Sequence, residues 1–186
     1  MTSLDEVARN FVDLLDRLGA PYALVGGLAV RVHALPRPTF DVDFTVSLSR
    51  ESLPDLYHQA EHRGLTIPPP QTSGWIVSVA GLPVVKSQWF IDSRAIDIDV
   101  FLAETEFQGE LLARRQRHGM NGWNAWFATA KDLILLKLLA DRPKDRTDIS
   151  DFLFIQGELD VFYLRHWAVS LGIAERLETA LAADRL

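Results

Sequence analysis

The residues of this sequence best suited to chemistry are two acidic pairs, each set in a short apolar run. One is Asp41-Val42-Asp43, followed by Phe44-Thr45-Val46. The other is Asp97-Ile98-Asp99, followed by Val100-Phe101-Leu102. Both runs read as β-strands. Successive strand side chains point to opposite faces, so Asp41 and Asp43 share one face and Asp97 and Asp99 share one face of their own strand. Paired carboxylates repel, and neither sits buried without a cation. A hard divalent ion would supply that cation, and an all-oxygen donor set suits magnesium. The competing reading of either pair is an amphipathic strand with its polar face in water. Two such pairs in one short chain weaken that reading without removing it.

Two further groups carry possible chemistry. Gly26-Gly27 follows the apolar run Tyr22–Val25 and precedes a segment with helical spacing, Leu28–Leu35. Glycines at such a bend let backbone approach a phosphate, and a helix start offers free amides and a positive dipole end. A tight strand-to-helix turn explains the pair equally simply. Lys137 lies near Arg142, Lys144, Asp145 and Asp148, the two aspartates one helical turn apart. On spacing alone this group reads as an exposed, salt-bridged helix pair with Lys137 on a polar edge.

The elements that must position these residues follow in chain order. Ser3 and Glu6 form a capping box for a first helix carrying Val7, Phe11, Leu14, Leu15 and Leu18, closed by Gly19. The Leu28 helix ends at Pro36 and Pro38, which lack amide donors. A second helix is expected over Ser49–His62, then a loop over Pro68–Gly74. Alternating runs predict strands at Trp75–Ala80, Val84–Phe90 and Ala95–Leu102, with turns at Gly81-Pro83 and Asp92-Ser93. A short helix over Glu106–Leu112 precedes a hairpin over Arg114–Phe127 turning at Asn121-Gly122. Thr129 caps a strong apolar helix that ends before Pro143. Helices over Lys144–Ile155, Leu159–Ser170 and Ile173–Ala183 complete the chain. The layout is an α+β core over residues 1–128, a small mixed sheet flanked by helices, with a helical part over 129–186 packed on it.

The 186 residues suffice for one good-sized core. A net charge of -6 gives no global attraction for nucleic acid, although Arg114, Arg115, Arg117 and His118 form a local basic cluster that otherwise reads as a solvated hairpin. There are 0 cysteines, which excludes disulfides and thiolate zinc sites. No signal core and no membrane-length apolar run are seen, so a cytoplasmic protein without membrane attachment is expected. Trp75, Trp89, Trp123 and Trp126 could line a ligand pocket, but at strand spacing they also read as core.

Gly-Gly, a helix, then Arg-Pro-Thr-x-Asp-x-Asp resembles the N-terminal signature of nucleotidyltransferases of the polymerase-beta type. The stretch from Ala130 to Ile149 is similar to the one found in AbiEii-type nucleotidyltransferase toxins and their relatives. The likeness extends over residues 22–155. It implies a nucleoside triphosphate substrate, with magnesium or manganese as cofactor. It further implies Gly26 and Gly27 on the triphosphate, Asp41 and Asp43 on the metals, and Asp99 as third carboxylate and base, with Asp97 its competitor. Lys137 would contact phosphate, and Asp145 or Asp148 would orient it or the acceptor. Many members carry Gly-Ser where this chain has Gly26-Gly27, so Arg37 and Thr39 are the expected substitutes for the lost hydroxyl. The implied acceptor is RNA, protein or a small molecule such as an antibiotic, with an antitoxin as partner if the chain is a toxin. The alternatives are a degenerate relative that only binds and a metal-dependent hydrolase.

Overall fold

The computed structural model describes residues 4–91, 94–157 and 159–183. The expected Ser3 cap and the Asp92-Ser93 turn lie outside the described residues. In chain order the elements are α1 (Leu4–Arg17), β1 (Tyr22–Val25), α2 (Gly26–His33), β2 (Asp41–Val46), α3 (Leu53–Glu61), β3 (Leu65–Thr66), α4 (Pro69–Thr72), β4 (Val77–Val79), β5 (Leu82–Ile91) and β6 (Arg94–Leu102). There follow α5 (Glu106–Arg114), β7 (Gln116–Met120), β8 (Trp123–Phe127), α6 (Ala130–Ala140), α7 (Pro143–Gln156), α8 (Val161–Ser170) and α9 (Ala174–Ala183).

The strands form one mixed sheet in the order β3-β5-β6-β2-β1-β8-β7, with β4 beside β5. β2 runs parallel to β6 and β1 parallel to β8, while β1/β2, β5/β6 and β7/β8 are antiparallel. The expected α+β class therefore holds. Alternation along β2 explains its place. Val42 and Phe44 are fully buried, Phe44 with its ring 5.1 Å from that of Phe11 in α1. Asp41 and Asp43 are only partly buried.

Several boundaries differ from the expectation. α2 starts at Gly26 itself, because Gly26 adopts φ 62° and turns β1 directly into the helix. It stops at His33, short of Leu35. A 3-10 turn over Arg50–Ser52 takes the place of the first turn expected of α3. The proline loop contains the single turn α4, seeded by prolines at its start. Trp75 stands outside β4 and is 64% exposed, so it is not core. The turn before β5 falls at Ala80 and Gly81, with φ 52° and 81°, and Pro83 joins the strand. β3 carries too short an apolar pattern to be anticipated. The Asn121-Gly122 hairpin forms as expected, both residues having positive φ, but Arg114 belongs to α5.

Candidate active site

Strand register assembles the acidic residues. In the parallel β2/β6 pair, Asp43 lies beside Asp99 and Asp41 beside Asp97. Gly26 closes against the same place: a Cβ added there would run into the carboxylate of Asp43. The bend is thus glycine for two reasons, its positive φ and the approach of Asp43. Gly27 has its own reason. A Cβ on it would lie 2.6 Å from the Cβ of Thr39 and closer still to the Thr39 hydroxyl. A serine side chain at position 27 has no room because Thr39 already fills that space. The Thr39 hydroxyl donates to Asp41 Oδ1 at 2.7 Å.

Gly26, Asp41, Asp43 and Asp99 border a cleft of about 360 Å3. Its acidic end holds Gly26, Asp41, Asp43 and Asp99, and its apolar end holds Leu82, Phe101, Leu133 and Leu136, with α6 along one side. Asp99 lines the cleft, whereas Asp97 is exposed at its margin and accepts from Gln88 Nε2 at 2.8 Å. None of Trp75, Trp89, Trp123 and Trp126 lines it. A larger hollow of about 450 Å3 lies between α6, α7 and α9, but it contains none of the strand carboxylates, so the smaller cleft is the one equipped for chemistry.

The electrostatics within the acidic end are uneven. The Lys86 ammonium donates to both oxygens of Asp99, at 2.8 and 2.6 Å. No hydrogen bond or ion pair from the described residues reaches Asp43. Burial, then the charges of Asp41 and Asp99, push its carboxyl up to about 7, against the opposing pull of Arg142 and Lys144. Among the described residues no three Asp, Glu or His side chains stand together as a ready metal cluster. Asp99 is held by Lys86 and Asp41 is engaged by Thr39. The donor set still fits a hard divalent ion: it is all oxygen, and Asp43 is short of positive charge.

The Lys137 group is not the exposed salt-bridged pair its spacing suggested. Lys137, Asp145 and Asp148 are 4%, 0% and 1% exposed. Asp141 ends α6 at φ 50° and Pro143 starts α7 at once, folding α7 back so that its first turns face Lys137. The Lys137 ammonium donates to Asp145 Oδ1 at 3.3 Å and to Asp148 Oδ2. Arg37 grips Asp148 with two bonds, 2.6 and 2.8 Å, and Arg142 grips Asp145 through Nε at 2.7 Å. Burial works to raise both carboxyls, but these donated bonds outweigh it and hold Asp145 and Asp148 below the usual carboxylate value. The phosphate contact expected of Lys137 therefore meets an ammonium already shared by two carboxylates. Lys137 and the half-exposed Arg142 both line the cleft.

Two members of the basic cluster are engaged internally. Arg114 donates to Glu110, Asp132 and Tyr163, and Arg115 donates to Leu112 O and lies 4.8 Å over the Trp126 ring.

The same architecture occurs in solved structures. An antigenic nucleotidyltransferase-like protein from Paracoccidioides brasiliensis superimposes with a TM-score of 0.55 at 20% identity, over 95% of this chain and 91% of that one. A lincosamide antibiotic adenylyltransferase with lincomycin bound superimposes with a TM-score of 0.57 at 16% identity, over 83% of this chain and 98% of that one. No curated protein matches the sequence. Residues 1–179 match the family described as "Nucleotidyltransferase of unknown function (DUF6036)", and the chain belongs to that family.

Proposed function

We propose that the protein transfers a nucleoside monophosphate from a nucleoside triphosphate to an acceptor hydroxyl in the cleft beside α6. The observation that carries this reading is the meeting of Asp41, Asp43 and Asp99 from two parallel strands against the Gly26 bend. Asp41, Asp43 and Asp99 would hold magnesium or manganese. Such an ion, when bound, neutralises charge on the reacting and leaving oxygens.

The remaining roles belong to the chain's own groups. Gly26 and Gly27 keep the start of α2 open, so its amides can approach phosphate. Thr39 presents a hydroxyl beside Gly27. Arg142 offers positive charge at the cleft wall. Lys137, Asp145, Asp148 and Arg37 hold α6, α7 and the segment before β2 together, and so fix that wall. Asp99 takes the proton of the acceptor hydroxyl. The acceptor oxygen then bonds to the α-phosphorus, and the bond to pyrophosphate breaks with its electron pair leaving on the pyrophosphate.

The test is incubation with each of the four α-labelled triphosphates plus total RNA, protein or small hydroxyl compounds. Label should pass to one acceptor class, and Asp43→Ala should reduce transfer at least about 100-fold while the fold is kept. Undiminished transfer by that variant removes the reading. An AbiEii-type toxin would label RNA or protein. The likeness to a lincomycin-bound adenylyltransferase puts lincosamides in the small-molecule arm. Release of free phosphate without labelled acceptor would instead mark a hydrolase. The ion pair between Lys86 and Asp99 favours a second reading, a silent relative that binds without transfer. Binding of nucleotide with no label moved to any acceptor would select it.

A further inference from the structure

Lys86, Asp99 and Asp43 form a row across the sheet that backbone register imposes. Lys86 of β5 lies opposite Asp99 of β6, which lies beside Asp43 of β2. Cross-strand neighbours of this kind have their Cβ atoms within about 5.5 Å, so the ammonium meets Asp99 without special folding of the side chain. β5 is fastened at this point, because the Lys86 amide donates at 2.6 Å to Oε1 of Gln71, itself 3% exposed. The ammonium spans both oxygens of Asp99, while its side chain stays 41% exposed and can leave without unpacking the core. Asp43, the next carboxylate in the row, receives no hydrogen bond or ion pair from any described residue. One side of the acidic end therefore has a cation in direct contact, and the other feels only the more distant charges of Arg142 and Lys144.

We propose that Lys86 is a resident counter-ion on Asp99 that a divalent cation must displace, and that the freed ammonium then serves as a phosphate-binding group for the nucleotide. This rests on the reading above, in which metal and triphosphate share the cleft. Without nucleotide the ammonium competes with the metal for Asp99. With nucleotide the triphosphate draws the ammonium away, so metal and nucleotide help one another to bind.

The test uses Mn2+ binding, read by the electron paramagnetic resonance of the free ion, on the wild-type chain, Lys86→Met, Lys86→Arg and Asp43→Asn. Binding of a non-hydrolysable ATP analogue is then read at saturating Mn2+. Lys86→Met should bind Mn2+ about twofold to fivefold more tightly without nucleotide, the scale of one half-exposed ion pair, and should bind the analogue more weakly. Lys86→Arg should follow the wild type in both. Equal or weaker Mn2+ binding by Lys86→Met overturns the counter-ion role. Tighter Mn2+ with unchanged analogue binding overturns the phosphate role. If neither wild type nor Lys86→Met binds Mn2+, or if Asp43→Asn binds it undiminished, the metal reading itself falls. Circular dichroism of each variant separates these outcomes from misfolding.

Discussion

At the scale of single residues, Asp43 is the most exacting position. Its carboxyl is raised to about 7, so its proton is held more tightly in the folded chain than in the unfolded one. The stability this contributes is fully present below the unfolded value of 3.8 and is lost as pH rises through about 7. Metal-free wild type should therefore lose on the order of 2–4 kcal/mol between pH 4 and pH 8, a loss absent from Asp43→Asn. Urea unfolding in EDTA at both pH values checks this, and magnesium should restore the wild type at pH 8. Gly26→Ala places a methyl group on the Asp43 carboxylate at positive φ. It should cost about 1–3 kcal/mol in the same assay and disturb nucleotide binding. The Asp pairs and the glycines were legible in the sequence, since strand parity needs only local spacing. The sequence reading offered Thr39 as a substitute for a serine hydroxyl at the bend. That Thr39 fills the space beside Gly27 needed the packed structure.

At the scale of elements, α6 and α7 behave as one clamp. Asp145, Asp148 and Lys137 are its buried charges, with Arg37 on Asp148 and the half-exposed Arg142 on Asp145. Lys137→Met removes the ammonium that joins the two carboxylates but leaves each its arginine, and should cost about 1–3 kcal/mol in urea unfolding. Asp145 and Asp148 have lowered carboxyls, so the clamp's contribution is present above pH 3.8 and is lost as pH falls through their depressed folded values. Acid unfolding should accordingly sharpen below pH 4, and the Lys137→Met variant should show a shallower acid transition. This clamp was misjudged from spacing. Helical periodicity showed that Asp145 and Asp148 share a face, but it says nothing about which helix that face meets. The tight αL turn at Asp141 decides that. The helices and most strands, by contrast, followed from apolar periodicity, caps and turn residues. The short β3 and α4 lay below the length at which a pattern can register.

At the scale of the whole molecule, the cleft lies between a sheet face and α6, so a ligand that bridges them should stabilise the entire fold. A nucleoside triphosphate with magnesium at about 100 times its dissociation constant contributes about 2.7 kcal/mol. For a chain of this size that raises Tm by roughly 5–10 °C in differential scanning calorimetry. The shift should vanish in EDTA and in Asp43→Ala. By itself the sequence determined the α+β class, the acidic strand motifs, the glycine bend and the helix that borders the cleft, because each depends on residues within a few positions of one another. Only the tertiary structure decided that β2 lies parallel beside β6, that Asp99 rather than Asp97 lines the cleft, and that Lys86 covers Asp99 while Lys137 is buried between two carboxylates. These depend on pairings across tens of residues, and local spacing carries no record of which strand or helix face will be the partner.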